Sequence, residues 1–138
     1  MNAEPTSTSR RNLILKLLDY FLSEGFTVHG ARDVDGYKLP PLMKNDSFGK
    51  LLPHRPDVIA MDPKRRIVFG IVRETRSELD CEDSLEEYNL YLDHNAALGE
   101  QASVVYVMMP QQLVGEFTDI ITHYIHREYW ARITPVAA

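Results

Sequence analysis

The stretch ASVVYVMMP, residues 102 to 110, constrains the fold more than any other part of the chain. A near-continuous apolar run of this length, closed by proline, is a central strand with both faces covered, because an exposed face would show alternation instead. Such a strand needs a partner strand on each side and helices above and below. The sequence supplies the helices. Leu13, Ile14, Leu17, Leu18, Phe21 and Leu22 recur at three- and four-residue intervals and predict a helix over Thr8 to Glu24, with Gly25 placed to end it. Ser84 with Glu87 three residues on has the form of a capping box. It opens a second predicted helix over Ser84 to Leu98, buried through Leu85, Tyr88, Leu92 and Ala96. A third, over Pro110 to His126, carries Leu113, Val114, Phe117, Ile120, Ile121 and Tyr124.

Strands are expected at FTVHG (26–30), at 57–61 and at 66–74, the last two joined by a DPKR turn into an antiparallel hairpin. A short terminal strand is expected over Tyr129 to Ile133. The step from the hairpin through the second helix to VVYVMM should be a right-handed parallel crossover, so the layout is α/β. Residues 31–54 are dense in Gly, Pro, Asn and Asp and read as a long loop, a candidate substrate lid or dimer arm. Residues 1–10 read as a disordered tail, and 11–138 as one domain.

The segment HRPDVIAMDPKRRIVFGIVRET (54–75) carries a more specific pattern. Pro56-Asp57 opens one strand and Phe69-Gly70-Ile71-Val72-Arg73 lies on the next. In order of elements and in this motif the chain resembles the PD-(D/E)XK nuclease superfamily over about residues 11 to 126. The resemblance implies a three-layer restriction-endonuclease-like core, α-β-β-β-α-β, with a central mixed sheet and helices on both faces. It also implies a site in which one strand supplies an aspartate and the next supplies Asp or Glu, any residue, then Lys. Asp57 matches the first position. Ile71 stands where the second acid belongs, and Arg73 where the lysine belongs.

Two of three positions therefore depart, and the chemistry makes the departures consequential. Nucleases of this kind use carboxylates to hold a hard cation such as Mg²⁺ beside the scissile phosphate. Isoleucine has no oxygen to donate. Arginine can grip a phosphate but stays protonated at neutral pH, so it is a poor general base. On a regular strand Glu74 faces away from Ile71 and Arg73; a bulge at Gly70 would turn it toward Asp57 and give a relocated metal pair, Asp57 and Glu74. The expectation is a degenerate site needing no cofactor, with Mg²⁺ only if the chain is an active nuclease. Glu24, Glu78, Asp80 and Glu82 are further acids within range, and each is expected to cap a helix or face solvent.

Charge divides along the chain. From Lys38 to Arg76 there are nine Lys or Arg against four acids, and from Ser77 to Glu100 eight acids and no Lys or Arg. Arg55, Lys64, Arg65, Arg66 and Arg73 are the candidate contacts to nucleic acid, with His54 beside them, although a net charge of -5 works against approach to a polyanion. A homodimer through the apolar end around Tyr129 and Trp130 is the competing reading of the partner. His123 and His126 sit three apart without a carboxylate or cysteine partner, and the lone Cys81 has no neighbours at zinc-ligand spacing. No Gly-rich phosphate loop and no nucleophile elbow is present, which removes nucleotide hydrolysis and esterase chemistry. With no apolar run long enough for a membrane span and no signal-peptide pattern, the chain is expected to be cytoplasmic.

Overall fold

The computed structural model describes residues 7–44, 53–94 and 102–138. Helix α1 (Thr8–Ser23) starts at Ser7, whose side chain accepts the Arg10 N–H at 3.1 Å, and stops where Gly25 takes a left-handed φ of 81°. Strand β1 (Thr27–Ala31) follows, then the hairpin of β2 (Val58–Met61) and β3 (Ile67–Val72). Helix α2 (Glu82–Leu92) leads to β4 (Val104–Met109), and α3 (Val114–Tyr124) to β5 (Ile133–Ala137).

The strands form one mixed sheet in the order β1-β2-β3-β4-β5. The β1/β2 and β2/β3 pairs are antiparallel, and β3, β4 and β5 run parallel. The apolar run is thus interior to the sheet, as its lack of alternation requires. Its residues divide by parity. Val104 and Met108 pack with Val58, Val68 and Val72 against Ile14, Leu17 and Phe21 of α1. Val105, Val107 and Met109 pack with Phe69 and Ile71 against Tyr88, Tyr91 and Leu92 of α2 and Phe117, Ile120 and Ile121 of α3. One helix covers one face and two cover the other.

Glycine 70 faces α1. A Cβ there would lie 2.8 Å from Phe21 Cε2 and 2.9 Å from Leu17 Cδ2, so the missing side chain lets the helix settle on the sheet. No bulge occurs at this position. The β2/β3 register runs without a break from Val58↔Gly70 to Met61↔Ile67, and the sheet's irregularity falls instead between Val28 and Gly30 of β1.

Several element limits differ from the sequence expectation, each for a local reason. Helix α1 begins at Thr8, as its apolar spacing predicts, so the boundary between tail and domain drawn after residue 10 falls inside the helix. The second helix opens at Glu82, so Ser84 and Glu87 form no cap. Ser84 Oγ donates to the Glu78 carbonyl at 2.5 Å, and Glu87 turns inward. Positions 95–98 of the expected helix lie outside the described residues. The third helix is shorter than expected and is preceded by a 3-10 turn over Gln111–Leu113. Residues Arg127–Arg132 form a 3-10 helix, displacing the terminal strand to Ile133–Ala137. That turn is fastened by Trp130 Nε1–H donating to the Ile125 carbonyl at 3.0 Å, with Arg127 over the Trp130 ring and Arg132 over the Tyr129 ring. Local bonds outweigh the strand propensity of Tyr129 and Trp130.

Both sheet edges are modified. In β5 the Ala138 N–H reaches the Met109 carbonyl at 2.8 Å, so by alternation 134 and 136 point toward β4 and Pro135 points outward, where it has no N–H to offer. On β1, Ala31 N–H donates to the Lys38 carbonyl at 2.9 Å, which lays the following loop along that edge. Of the long loop read as a lid or arm, 45–52 lie outside the described residues, and Met43 and His54 close it through an antiparallel bridge.

Candidate functional site

The hairpin register brings Asp57 and Arg73 to the same end of the sheet. Asp57 stands one residue before β2 and Arg73 one residue after β3. The Asp57 N–H donates to the Gly70 carbonyl at 2.9 Å, and the Val72 N–H donates to Asp57 Oδ2 at 2.9 Å. Ile71 is wholly buried in the layer under α2 and α3, where it offers no oxygen.

Asp57 is 1% exposed, and its carboxylate is enclosed by cations. Arg10 Nη2, from the first turn of α1, lies 3.3 Å from Oδ1 and 3.2 Å from Oδ2. Arg32 Nε, just past β1, lies 3.6 Å from Oδ1, while its Nη2 donates to the Arg55 carbonyl at 2.8 Å. Burial pushes the Asp57 carboxyl above the usual carboxylate range. Arg10, Arg32 and the Val72 N–H pull it back in part, and the Glu87 carboxylate adds to the upward push.

Arg73 is sealed on the α2 side. It is 5% exposed, with Nη2 2.8 Å from Glu87 Oε1, Nε 3.3 Å from the Tyr88 hydroxyl and Nη1 3.3 Å from the Val72 carbonyl. Glu87 Oε2 accepts from the Tyr91 hydroxyl at 2.6 Å. Burial works against the guanidinium charge, but the Glu87 carboxylate more than offsets it, and Arg73 holds its proton more tightly than a free arginine. Burial, then Glu87, raises the Tyr91 hydroxyl well above its ordinary range.

Glu74 is drawn to the helix rather than to Asp57. Its Oε1 accepts from the Ser7 hydroxyl at 2.8 Å, and its backbone N–H donates to Glu78 Oε1 at 2.6 Å. Glu78 also faces Arg10, with Oε2 3.9 Å from Nη1. The donor set does not fit a hard dication. Ile71 contributes nothing, Asp57 is occupied by two guanidinium groups and an amide, and Glu74 is taken by Ser7. Among the described residues no group of three or more His, Cys, Asp or Glu gathers in a metal-holding arrangement.

The basic residues do not form one surface. Arg55 Nη1 donates to the Pro40 carbonyl, Arg66 Nε pairs with Asp62 Oδ2 at 2.8 Å, and Arg73 is buried. Lys64 and Arg65 are exposed, at the turn joining β2 to β3. That turn is at the far end of β2 from Asp57, about 17 Å away for five residues of extended chain. His54 Nε2 lies 3.8 Å from Glu86 Oε2, an ion pair only when the imidazole is protonated. His123 packs edge-on against Tyr124, and His126 Nδ1 accepts the Glu128 N–H at 3.3 Å.

Arg10, Arg32, Glu87 and Tyr91 complete the site, and none was among the candidates from sequence. Arg10 precedes the apolar stripe of the predicted first helix, and Arg32 lies in the predicted loop. Glu87 and Tyr91 did carry a signal, since they stand four apart on α2 and flank Tyr88 on its buried side.

A scan against protein-family models gives no match, and neither does a search of the curated proteins or of the solved structures. The fold and site define an α/β protein with a five-stranded mixed sheet and a buried, arginine-enclosed aspartate at one sheet end. No helix among the described residues is long and apolar enough to cross a membrane.

Proposed function

We propose that this chain is a catalytically degenerate member of the PD-(D/E)XK nuclease superfamily, acting as a binding or scaffolding module rather than as a phosphodiesterase. The observation that carries the reading is the enclosure of Asp57: the motif aspartate is held by Arg10, Arg32 and the Val72 amide, so a catalytic cation would have to displace two guanidinium groups. Replacement of the second acid by buried Ile71 and of the lysine by buried Arg73 points the same way. The strand order, with an antiparallel hairpin leading through a helix to a parallel interior strand, is compatible with that superfamily's core.

Purified protein incubated with DNA or RNA in Mg²⁺ or Mn²⁺ should leave both intact. Time-dependent cleavage that disappears in Asp57→Ala would overturn the reading. It would favour a nuclease with relocated ligands if Glu74→Gln abolished cleavage equally. A nucleic-acid partner draws less support than a protein partner, because of the five candidate basic side chains only Lys64 and Arg65 stand exposed. A homodimeric contact is favoured by the groove in which Ile121, Ile133 and Pro135 meet Thr118, Thr122 and the exposed Trp130.

A further inference from the structure

Helix α1 carries its charges the wrong way round for its own dipole. Arg10 and Arg11 stand near its amino end, where the first turn holds no acid, and no cation occupies the last turn, which Glu24 closes. The macrodipole favours the reverse. Arg10 is accounted for by Asp57 and Glu78. Arg11 and Asp19 are both exposed, and neither joins an ion pair among the described residues. They stand about 12 Å apart along the helix, more than two turns, and do not pair with each other.

The exposed leucines of the helix lie on the same flank. At the helical period, Thr8, Arg11, Leu15, Asp19 and Leu22 fall on one stripe beside the core-facing one, and all five are exposed, Leu15 by 37% and Leu22 by 49%. The stripe is balanced about Leu15. Arg11 and Asp19 lie four residues to either side of it, and Thr8 and Leu22 seven. Turned end for end, it therefore sets leucine on leucine at its centre and cation on anion beside it.

We propose that this flank of α1 is a self-complementary docking surface whose occupant is a second copy of the chain, its α1 antiparallel across a two-fold axis through Leu15. Leu15 then meets the partner's Leu15 on the axis, Arg11 meets the partner's Asp19, Asp19 meets the partner's Arg11, and Leu22 lies over the partner's Thr8. Charge fixes the direction. A parallel copy would set Arg11 on Arg11 and Asp19 on Asp19, whereas the antiparallel one also lays each positive helix end beside a negative one. The surface is distinct from the Trp130 groove, because α1 covers the sheet face opposite α3. It does not depend on the degenerate reading of the motif residues. A single helix flank is at the small end of specific interfaces, so association in the micromolar range is expected.

Sedimentation velocity on the full chain, from about 5 to 500 μM, tests the surface. The expected result is a monomer–dimer equilibrium that Leu15→Lys weakens roughly tenfold or more, since it opposes two ammonium groups on the axis. Arg11→Asp alone and Asp19→Arg alone should each weaken it by a similar factor. The double variant Arg11→Asp, Asp19→Arg restores opposite charges in the antiparallel register and should bring association back to within about threefold of wild type. These substitutions fall on exposed side chains, and the charge exchange leaves both leucines in place, so it decides the matter even where Leu15→Lys lowers stability. A monomer at every concentration, a dimer indifferent to Leu15→Lys, or charge reversals that the double variant does not rescue would each overturn the proposal. Loss of association in Trp130→Ser but not in Leu15→Lys would assign the dimer to the groove and overturn it equally.

Discussion

Glu87→Gln is the most informative perturbation of the buried charges. Arg73 is 5% exposed, and Glu87 is its one carboxylate partner among the described residues. The substitution leaves a guanidinium in the interior with only the Tyr88 hydroxyl, a backbone carbonyl and an amide oxygen around it. Breaking a buried pair by removing one partner costs about 3 to 5 kcal/mol, a large share of a typical stability of roughly 5 to 15. The retained amide oxygen places the expectation near the low end, about 3 kcal/mol. Spread over 138 residues, that lowers the melting temperature by about 10 °C. Urea titration followed by far-ultraviolet circular dichroism measures it. The triple variant Arg73→Met, Glu87→Leu, Tyr91→Phe removes the charges and the hydroxyl left without its acceptor. It should recover all but about 1 kcal/mol, because an apolar substitute of similar volume is often neutral or stabilising. A cost for Glu87→Gln below about 1 kcal/mol would refute the reasoning, since it would mean that Arg73 reaches water when its partner is lost.

Gly70→Ala should destabilise by about 1 to 3 kcal/mol in the same titration, as the new methyl meets Phe21 and Leu17 in a filled layer; an unchanged midpoint would contradict the close seating of α1. The stability difference between wild type and Asp57→Asn should shrink as pH rises from about 3 to 7. The folded-state Asp57 pKa is raised, so its contribution is full below the unfolded value near 3.9 and is lost as pH passes through the folded value. A difference that grows with pH would reverse the assignment. Binding of a labelled duplex at about 50 mM salt should be weak, with a salt slope no steeper than about two contacts at 0.9 each. A steeper slope abolished by Arg65→Ala would restore the nucleic-acid surface.

The layered fold was legible because it follows from apolar periodicity. The interior position of β4, the hairpin of β2 and β3 and the amphipathic face of α1 were each written in the spacing of a few residues. The site was legible only on the strands. Asp57, Ile71 and Arg73 could be aligned by hairpin parity, but their partners come from elements far away in sequence, Arg10 47 positions before Asp57 and Glu87 14 positions after Arg73. Nothing local distinguishes Arg10 from the other arginines of a helix start, and the four-residue spacing of Glu87 and Tyr91 marks a buried helix face without naming Arg73 as its partner. The Ser84 and Glu87 pair shows the converse error. Its spacing suits a cap, but the attraction of buried Arg73 decides where Glu87 points.

Pro135 has a consequence for how this protein can grow. A sheet recruits another chain most cheaply by offering a row of free amides, and here the outward row of β5 is interrupted at its middle residue while the β1 edge is partly overlaid by the Lys38 carbonyl. Strand addition, the route to fibres and to swapped or templated assemblies, is therefore closed at one border and narrowed at the other. Association side chain to side chain across helices or loops is the less obstructed route, and one that fixes its stoichiometry instead of propagating. Pro135→Val would return the missing amide together with a good strand former. Sedimentation at rising concentration should then reveal the open-ended growth that the native sequence forbids.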